Sequence, residues 1–350
     1  MKKKILALGL CMLLLIPMVA CSKKDESQKI DKEAVKMDTV MHLIVYGSKA
    51  QKAIDAAYTR VDEIEQMASA AISTSDVSKI NNAAGKDYVK VHPEIVKIIK
   101  TSLIYSKISN GSFDITVGPL IKLWGIGTTK ERIPTAAEIK EKVALVNYKD
   151  ISINEADNSV KLMKPGMSID LGGIAKGFTA DEVVKVFNKF NIKSAIINLG
   201  GSSIYTMGKK PDDTLWSIGI QHPRQERNQG FTGIIKMSQN ALSTSGDYER
   251  FFIKNGKRYH HILNPYTGYP TEAGVMSDTI IIDSSIPDCN MLADILTKVT
   301  FVSGVEKGLK VIDSLSGVSC IVVTTDSKIY KSSKWNTKLD DLSPDFKMAN

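Results

Sequence analysis

Two spacings of hydrophobic residues alternate along this chain, and they separate predicted helices from predicted strands. Across Ala50–Ala68, apolar residues recur at the spacing of one face of an α-helix. Proline close to the first turn predicts further helices after His92-Pro93-Glu94 and over residues 133–146. Short apolar runs predict strands at residues 40–46, Ser194–Leu199, Trp216–Gln221 and residues 233–237.

The order of these elements favours a mixed α+β fold. Residues 151–163 alternate like a β-hairpin with Asp157-Asn158 in its turn, and the polar residues 69–86 are predicted to be a loop. Strands and helices do not follow a strict strand–helix–strand order, which disfavours a doubly wound parallel sheet. We therefore predict mostly antiparallel sheets with flanking helices.

The first residues indicate export and attachment to a membrane. Lys2, Lys3 and Lys4 precede an apolar run that is short for a transmembrane helix. The sequence Met18-Val19-Ala20-Cys21 then resembles a bacterial lipobox. We predict a signal peptide over residues 1–20, a lipid anchor at Cys21 facing the extracytoplasmic side, a flexible tether over 21–36 and one domain over 37–340. A simple cleaved secretory signal is the alternative.

Charge and cysteine content exclude some classes of function. The net charge is +8, and it falls to +5 without residues 1–20, which hold three lysines and no acid. These charges are spread along the chain, so nucleic-acid binding is disfavoured. Without the N-terminal segment and its acylated Cys21, only Cys289 and Cys320 remain, either as a disulfide or as two buried thiols. No spacing of cysteine or histidine indicates a zinc or iron–sulfur site.

Residues 170–181 carry the clearest candidate chemistry. They read Asp-Leu-Gly-Gly-Ile-Ala-Lys-Gly-Phe-Thr-Ala-Asp, between a short predicted strand and a predicted helix. Gly172 and Gly173 would expose backbone N–H groups beside a helix N-terminus, an arrangement that suits a phosphate. Lys176 would add a mobile positive charge. An ordinary strand–turn–helix junction explains the same pattern, so this stretch alone leaves both interpretations open.

Three other polar stretches interrupt apolar surroundings. Residues 241–250 are predicted to form a turn that presents hydroxyl and N–H groups to an anion. His261 precedes an Asn-Pro turn and could act as a general base. Asp294 is the single acid of an apolar helix, where a hard cation such as Mg²⁺ is the natural partner. Structural capping roles remain open for each stretch. No Gly-x-Ser-x-Gly elbow or Walker loop is present.

Six motifs in one order are similar to those of the ApbE-type FAD:protein FMN transferases, over roughly residues 37–325. They are Met37-Asp38-Thr39, residues 75–81, residues 113–120 with Leu123-Trp124, residues 170–181, residues 244–248, and residues 261–268. The resemblance implies an ApbE-like, T-fold-like domain that uses FAD as substrate together with Mg²⁺. It also implies transfer of FMN to a Thr or Ser of an extracytoplasmic acceptor protein bearing an Asp-Gly-x-Thr/Ser-type site, with release of AMP.

The resemblance also assigns roles to individual residues. The accepting hydroxyl needs a base within hydrogen-bond reach, and His261 is the candidate catalytic base. The resemblance implies a cofactor-binding set of Met37, Ser112, Phe113, Asp114, Asp170, Lys176, Asp247 and Ile262. The implied metal site comprises the Gly173 carbonyl, Asp294 and the position of Lys298.

Two positions depart from the family pattern. Ser202 follows Gly200-Gly201, where Asp or Asn is usual, and Lys298 stands four residues after Asp294, where Thr is usual. In a second register, Asn290 and Asp294 form the metal pair. The Lys298 ammonium could replace part of the metal's charge or abolish metal binding. Two other hypotheses therefore stay open, an FAD-binding carrier lipoprotein without transfer activity and a Mg²⁺-dependent FAD pyrophosphatase.

Overall fold

The computed structural model describes residues 28–227 and 229–350, and its centre is a nine-stranded sheet. In spatial order the strands are β1 (Lys29–Lys36), β2 (Thr39–Tyr46), β6 (Ser194–Leu199), β7 (Ser203–Met207), β10 (Asn240–Gly246), β13 (Val275–Asp283), β14 (Val318–Thr324), β15 (Lys328–Lys331) and β17 (Lys347–Met348). Neighbouring strands run antiparallel except β15 and β17, which are parallel. The predicted α+β fold with mostly antiparallel sheets is confirmed.

Three helices cover one face of this sheet: α1 (Ala50–Ala68), α6 (Ala175–Lys189) and α7 (Cys289–Ser314). Their apolar faces pack with the sheet into one core, as the fully buried Leu43, Val183 and Leu296 show. Burying these side chains stabilises the layer because apolar surface leaves water. α7 departs from helical geometry at Gly304, whose φ is +77°.

Smaller elements surround this layer. The helices are α2 (Asp76–Asn82), α3 (Pro93–Ile108), α4 (Gly118–Trp124) and α5 (Ala136–Val143). One three-stranded sheet holds β3 (Val89–Lys90), β4 (Ile151–Asn154) and β5 (Ser159–Leu162), and another holds β8 (Trp216–Gln221), β9 (Phe231–Met237) and β16 (Leu339–Asp340). β11 (Phe251–Lys254) and β12 (Lys257–His260) form a hairpin. The β8–β9–β16 sheet shares a core with residues of β7, β10, β13 and β14, on the opposite side from the three helices.

Three predictions of local structure are wrong. Residues 29–36, expected within the flexible tether, form β1 because every one of them pairs with a residue of β2. The expected loop over 69–86 contains α2, whose N-terminus Ser75 caps by accepting a hydrogen bond from the Ser78 N–H at 2.9 Å. The expected turn over 241–250 is largely β10, held between β7 and β13.

The signal peptide, Cys21 and residues 21–27 of the expected tether lie outside the described residues. Within the two described ranges, no helix has the length and apolar character needed to cross a membrane. Cys289 and Cys320 are both buried free thiols, so the disulfide alternative is not supported.

Candidate active site

The glycine-rich turn and the first turn of α6 lie directly against α7. A Cβ atom on Gly177 would lie 2.3 Å from the Asn290 carbonyl oxygen, so this approach requires glycine. At the contact, the Gly177 N–H donates to Asp294 Oδ2 at 3.0 Å, and the nearby Gly172 N–H donates to Asp170 Oδ1 at 2.8 Å. Two N–H groups of the predicted phosphate cradle are therefore already bonded to carboxylates of the chain.

Asp294 is completely buried and lies at the centre of the candidate site. Its Oδ1 accepts a hydrogen bond from Lys298 Nζ, which also donates to Thr297 Oγ1 at 3.1 Å. Burial by itself would raise the pKa of Asp294. The charges of Lys298 and Lys176 and the bonds from Lys298 and Gly177 outweigh that effect and lower the pKa. Asp294 is therefore an ionised carboxylate paired with an ammonium.

Lys298 also lies next to the other predicted metal ligand. A Cβ atom on Gly173 would be 3.7 Å from both Cγ and Cε of Lys298. The lysine side chain is about one-fifth exposed, so its stem is covered while the ammonium stays near the turn. Lys298 therefore contacts both predicted metal ligands: its stem lies over Gly173, and its ammonium is bonded to Asp294.

Asp278 is an acidic residue of this region that the motifs do not reveal. It lies in the all-buried part of β13, opposite Ser245 of β10, and Ser245 Oγ donates to Thr297 Oγ1 on α7 at 2.9 Å. Neither carboxylate oxygen of Asp278 has a hydrogen-bond partner in the described part of the chain. Burial raises the pKa of Asp278 well above its usual value, although Lys298 opposes the shift, so we assign it as a neutral acid.

Lys176 and Arg250 add positive charge to the candidate site. Lys176 Nζ donates to Ser202 Oγ at 2.5 Å, which brings the turn after β6 to α6. Burial lowers the pKa of Lys176 to about 8, with Asp294 opposing the shift and Lys298 and Arg250 adding to it. Over residues 28–227 and 229–350, no hydrogen bond or ion pair engages the Arg250 guanidinium. Its charge also lowers the pKa of Asp170, which burial raises overall.

The two adjacent histidines have different surroundings. His260 is buried, its Nε2 donates to the Thr271 carbonyl at 3.0 Å, and its Nδ1 accepts from the Ile262 N–H at 3.3 Å. In His261, Nδ1 donates to the Arg250 carbonyl at 3.3 Å, and the described residues provide no partner for Nε2. Burial lowers the pKa of His261 well below its usual value, and the charges of Arg250, His260, Lys298 and Lys176 add to this effect. His261 is therefore a neutral imidazole whose Nε2 can accept a proton.

The segment predicted to contact the cofactor reaches the same turn. The Phe113 ring approaches to 3.4 Å from where a Cβ atom of Gly173 would lie, and Ser112 Oγ accepts a hydrogen bond from Ser303 Oγ on α7 at 2.9 Å. Asp114 is used internally, since its Oδ1 accepts from Thr116 and its Oδ2 accepts from the Tyr148 N–H at 2.9 Å. Burial raises the pKa of Asp114, against those bonds. The structure gives Asp114 a turn-capping role.

The structure also gives the surroundings of three further residues from the predicted cofactor-binding set, Met37, Ile262 and Asp247. The Met37 N–H donates to Glu65 Oε2 at 3.0 Å, and its sulfur accepts from Thr179 Oγ1 on α6 at 3.5 Å. Ile262 is buried directly after His261. Both Asp247 oxygens are taken by Arg224, at 2.7 and 2.8 Å, so this carboxylate is held in a bidentate ion pair.

Asp181 and Asn290 have a structural role. Asp181 accepts bonds from the N–H and side-chain amide of Asn290 and from the Met291 N–H, at 2.8 to 3.1 Å. It therefore caps the start of α7. The Asn290 side-chain NH₂ is engaged there, whereas Asn290 Oδ1, the atom that would bind a metal, has no hydrogen-bond partner among the described residues. The second register, with Asn290 and Asp294 as a metal pair, therefore stays a prediction.

Sequence reasoning missed three charged residues around the site: Asp278, Arg250 and Arg224. An acid within an otherwise apolar strand was a detectable indication for Asp278, because an unpaired buried carboxylate is costly. The arginines lie in ordinary polar segments. The β11–β12 hairpin brings Arg250 beside His261. The segment after β8 brings Arg224 to Asp247, which follows β10.

The side chains around Asp294 do not fit Mg²⁺ as they are arranged. Magnesium requires several oxygen ligands in octahedral geometry, yet Lys298 and Gly177 already occupy the two oxygens of Asp294. Across the described ranges, no three or more His, Cys, Asp or Glu side chains are grouped so that they could hold a metal ion.

This chain is similar to known proteins over most of its length. The model of the ApbE family matches residues 37–322. An FAD:protein FMN transferase of Klebsiella pneumoniae is 34% identical over 276 residues, which cover 79% of this chain and 83% of that protein. One from Treponema pallidum is 28% identical over 342 residues, covering 93% and 92%.

Solved structures agree with the architecture. The crystal structure of the ApbE protein from Thermotoga maritima superposes with a TM-score of 0.79 and 30% identity, over 87% of this chain and 97% of that one. The flavin transferase ApbE from Vibrio cholerae gives 0.78 and 26%, over 88% and 98%.

Proposed function

Because this chain belongs to the ApbE family, we propose that it is an enzyme that transfers FMN from FAD to a Thr or Ser hydroxyl of an acceptor protein and releases AMP. One observation carries this proposal beyond the family. A neutral His261 with an available Nε2 lies among the charges of Lys176, Lys298 and Arg250. A proton acceptor beside a cationic cluster suits attack of a hydroxyl on a pyrophosphate.

The proposed step is a single displacement at phosphorus. The acceptor hydroxyl oxygen forms a bond to the phosphorus of the FMN half, and the bond from that phosphorus to the bridging oxygen breaks. The bridging oxygen leaves with the electron pair as part of AMP, while His261 Nε2 takes the hydroxyl proton. The Arg250 carbonyl holds the His261 ring by accepting from Nδ1, which fixes the tautomer that the step needs.

The remaining residues would bind and orient FAD. Lys176 and Arg250 would neutralise the phosphates of FAD. The Lys176 ammonium is a compact point charge, whereas the planar Arg250 guanidinium can donate to two phosphate oxygens at once. We assign Met37, Ser112, Phe113, Asp170 and Ile262 to FAD contact, as the resemblance implies. The Phe113 ring lies beside Gly173, and Ile262 directly follows His261. Asp114 and Asp247 act by holding the turns on which these residues lie, because their own oxygens are occupied.

The resemblance also implies Mg²⁺ dependence. A pyrophosphate needs positive charge at the bond that breaks, and Mg²⁺ bound by Gly173 and Asp294 would supply it. The arrangement around Asp294 does not fit that ion, and no step of the proposal is routed through it.

The test uses purified protein, FAD and an acceptor bearing an Asp-Gly-x-Thr/Ser-type site. We expect an FMN-sized mass increase on the acceptor hydroxyl with stoichiometric AMP. Tight FAD binding without an adduct would instead support a carrier. FMN and AMP formed without an acceptor would support a pyrophosphatase. An acceptor with the hydroxyl removed, by Thr→Ala, is the matched control.

We predict that FAD affinity falls as pH rises through the pKa of Lys176, about 8. Above that pH the amine is neutral and no longer attracts phosphate, so affinity should fall up to about tenfold per pH unit. Lys298, Arg250, Asp294 and Glu249 surround it and set this midpoint. FAD fluorescence titrations at several pH values measure the effect. K176R should flatten the profile because Arg keeps its charge; an unchanged midpoint in K176R would contradict the assignment.

We also propose that the protein is a lipoprotein anchored through Cys21 at the extracytoplasmic face of a bacterial membrane. The lipobox-like sequence supports this. C21A should move the protein from the membrane to the soluble fraction after cell fractionation, and C320A should not. Continued membrane association of C21A would contradict the anchor.

A further inference from the structure

Lys298 occupies the position at which the predicted metal ligands meet. Its Nζ is hydrogen-bonded to Asp294, and its stem lies over Gly173. A cation placed between the Gly173 carbonyl and Asp294 would compete with this ammonium for the same space and the same carboxylate oxygen.

We propose that the Lys298 ammonium takes the place of a divalent metal ion, so that FAD binding and FMN transfer in this chain do not require one. The inference rests on the proposed function for the identity of the ligand. It concerns a different property, which is the source of the positive charge beside the bond that breaks. A lysine ammonium is a compact point charge with N–H donors, and it can approach phosphate oxygens directly.

Hydrogen bonds hold the Lys298 ammonium in place, and the group of charged side chains around it keeps a net positive charge. Asp294 is held by Lys298 on one oxygen and by the Gly177 N–H on the other. Thr297 Oγ1 accepts a further bond from Lys298. Three cationic side chains, Lys176, Lys298 and Arg250, face the two carboxylates of Asp294 and Glu249, so the cluster keeps a net positive charge. A divalent ion would have to enter against these charges and displace Lys298.

The main alternative to this proposal is a metal site that includes Asp278. A buried carboxylate without a partner can mark a place where an ion belongs. If Asp278 ionised, it and Asp294 could together bind a metal while Lys298 moved away. If Asp278 is neutral, the form that its burial within β13 favours, replacing it by an amide of the same shape changes little. D278N therefore separates the two possibilities.

The test compares wild type with D278N, K298M and K298T. Each is stripped with a chelator and then studied with chelator or with Mg²⁺. FAD affinity is measured by fluorescence titration, and direct metal binding by the electron paramagnetic resonance of added Mn²⁺. Wild type and D278N should bind FAD equally well in both buffers and should not bind Mn²⁺ at this site.

The two lysine variants should differ from one another. K298M should lose roughly ten- to hundredfold in FAD affinity in chelator, because a charge-assisted contact is lost. K298T frees an Asp294 oxygen and adds a hydroxyl oxygen, so its affinity should fall in chelator and recover with Mg²⁺. Wild-type binding of one Mn²⁺, or loss of FAD affinity in chelator, would overturn the proposal. Loss of Mn²⁺ binding in D278N would then identify the metal ligand.

Two controls keep the outcomes distinct. K298R keeps the charge and should retain metal-independent FAD binding, which separates charge loss from misfolding, and thermal unfolding is followed for every variant. Failure of the proposed function would appear as no acceptor adduct under any condition, with FAD binding still unaffected by chelator. Failure of this inference would appear as an adduct formed only with Mg²⁺.

Discussion

Replacing His261 by Asn is expected to slow FMN transfer by about 10²- to 10⁴-fold, the range contributed by a positioned general base. The Asn amide can still donate to the Arg250 carbonyl, as Nδ1 does at 3.3 Å. It offers no basic atom at the place of Nε2. FAD affinity and stability should therefore stay near the wild-type values, while the single-turnover rate of acceptor modification falls.

His260 supplies the matched control for this experiment. Both of its ring nitrogens are engaged within the loop. H260N should therefore lower the free energy of unfolding more than it changes the rate per folded molecule. Equal rates in wild type and H261N would exclude His261 as the base.

The pH dependence of the wild-type rate provides a second readout for His261. Its pKa lies well below the usual value of 6.5, so the neutral form persists through that value. The acidic decrease in single-turnover rate should appear only as pH falls through the lowered pKa. A midpoint at the ordinary histidine value would indicate a different base.

Replacing Asp294 by Asn is the second change with a large expected effect. It leaves the Lys298 ammonium without its anionic partner beside a fully buried position. Breaking a buried ion pair in this way costs about 3–5 kcal/mol of folding free energy. Because the Lys298 side chain is about one-fifth exposed, we expect the lower end of that range. Urea denaturation monitored by tryptophan fluorescence measures the loss.

A double-mutant cycle tests whether the cost comes from the pair. D294N/K298M removes both charges and should recover part of the stability lost by D294N. D213N is the surface control, since Asp213 and Lys209 form a pair at the same sequence separation but with Asp213 85% exposed. We expect D213N to cost at most about 1 kcal/mol. Similar losses for D294N and D213N would contradict a buried, coupled pair.

Local sequence patterns predicted elements whose hydrophobic spacing is complete within one segment. Ala50–Ala68, Ser194–Leu199 and Trp216–Gln221 have the predicted bounds, because each buries a regular apolar face of its own. β1 could not be predicted this way, since its polar residues are ordered through pairing with β2. The run of hydroxyl residues at 243–245 is also typical of a turn by local pattern. It forms a strand because β7 and β13 pair with β10 on either side.

Some features of the candidate site could likewise be predicted from local sequence, and others depended on the tertiary structure. The motifs identified the turn at Gly173, the base candidate His261 and the helix at Asp294, because backbone conformation and residue chemistry are local properties. The tertiary structure decided which of these groups are available. Asp114, Asp181 and Asp247 have their oxygens occupied by partners, whereas the His261 Nε2 has no partner in the described chain.

The sequence by itself determined the α+β class, the ApbE resemblance and the presence of a lysine four residues after Asp294. It left open whether that lysine replaces part of a metal's charge or abolishes metal binding. The i,i+4 spacing within α7 places Lys298 beside Asp294. Only the packing of α6 against α7 decided that this pair lies over Gly173 and that Asp294 accepts a bond from the Gly177 N–H. The physical reason is that burial, pairing and charge depend on distances between segments more than one hundred residues apart, which no local pattern contains.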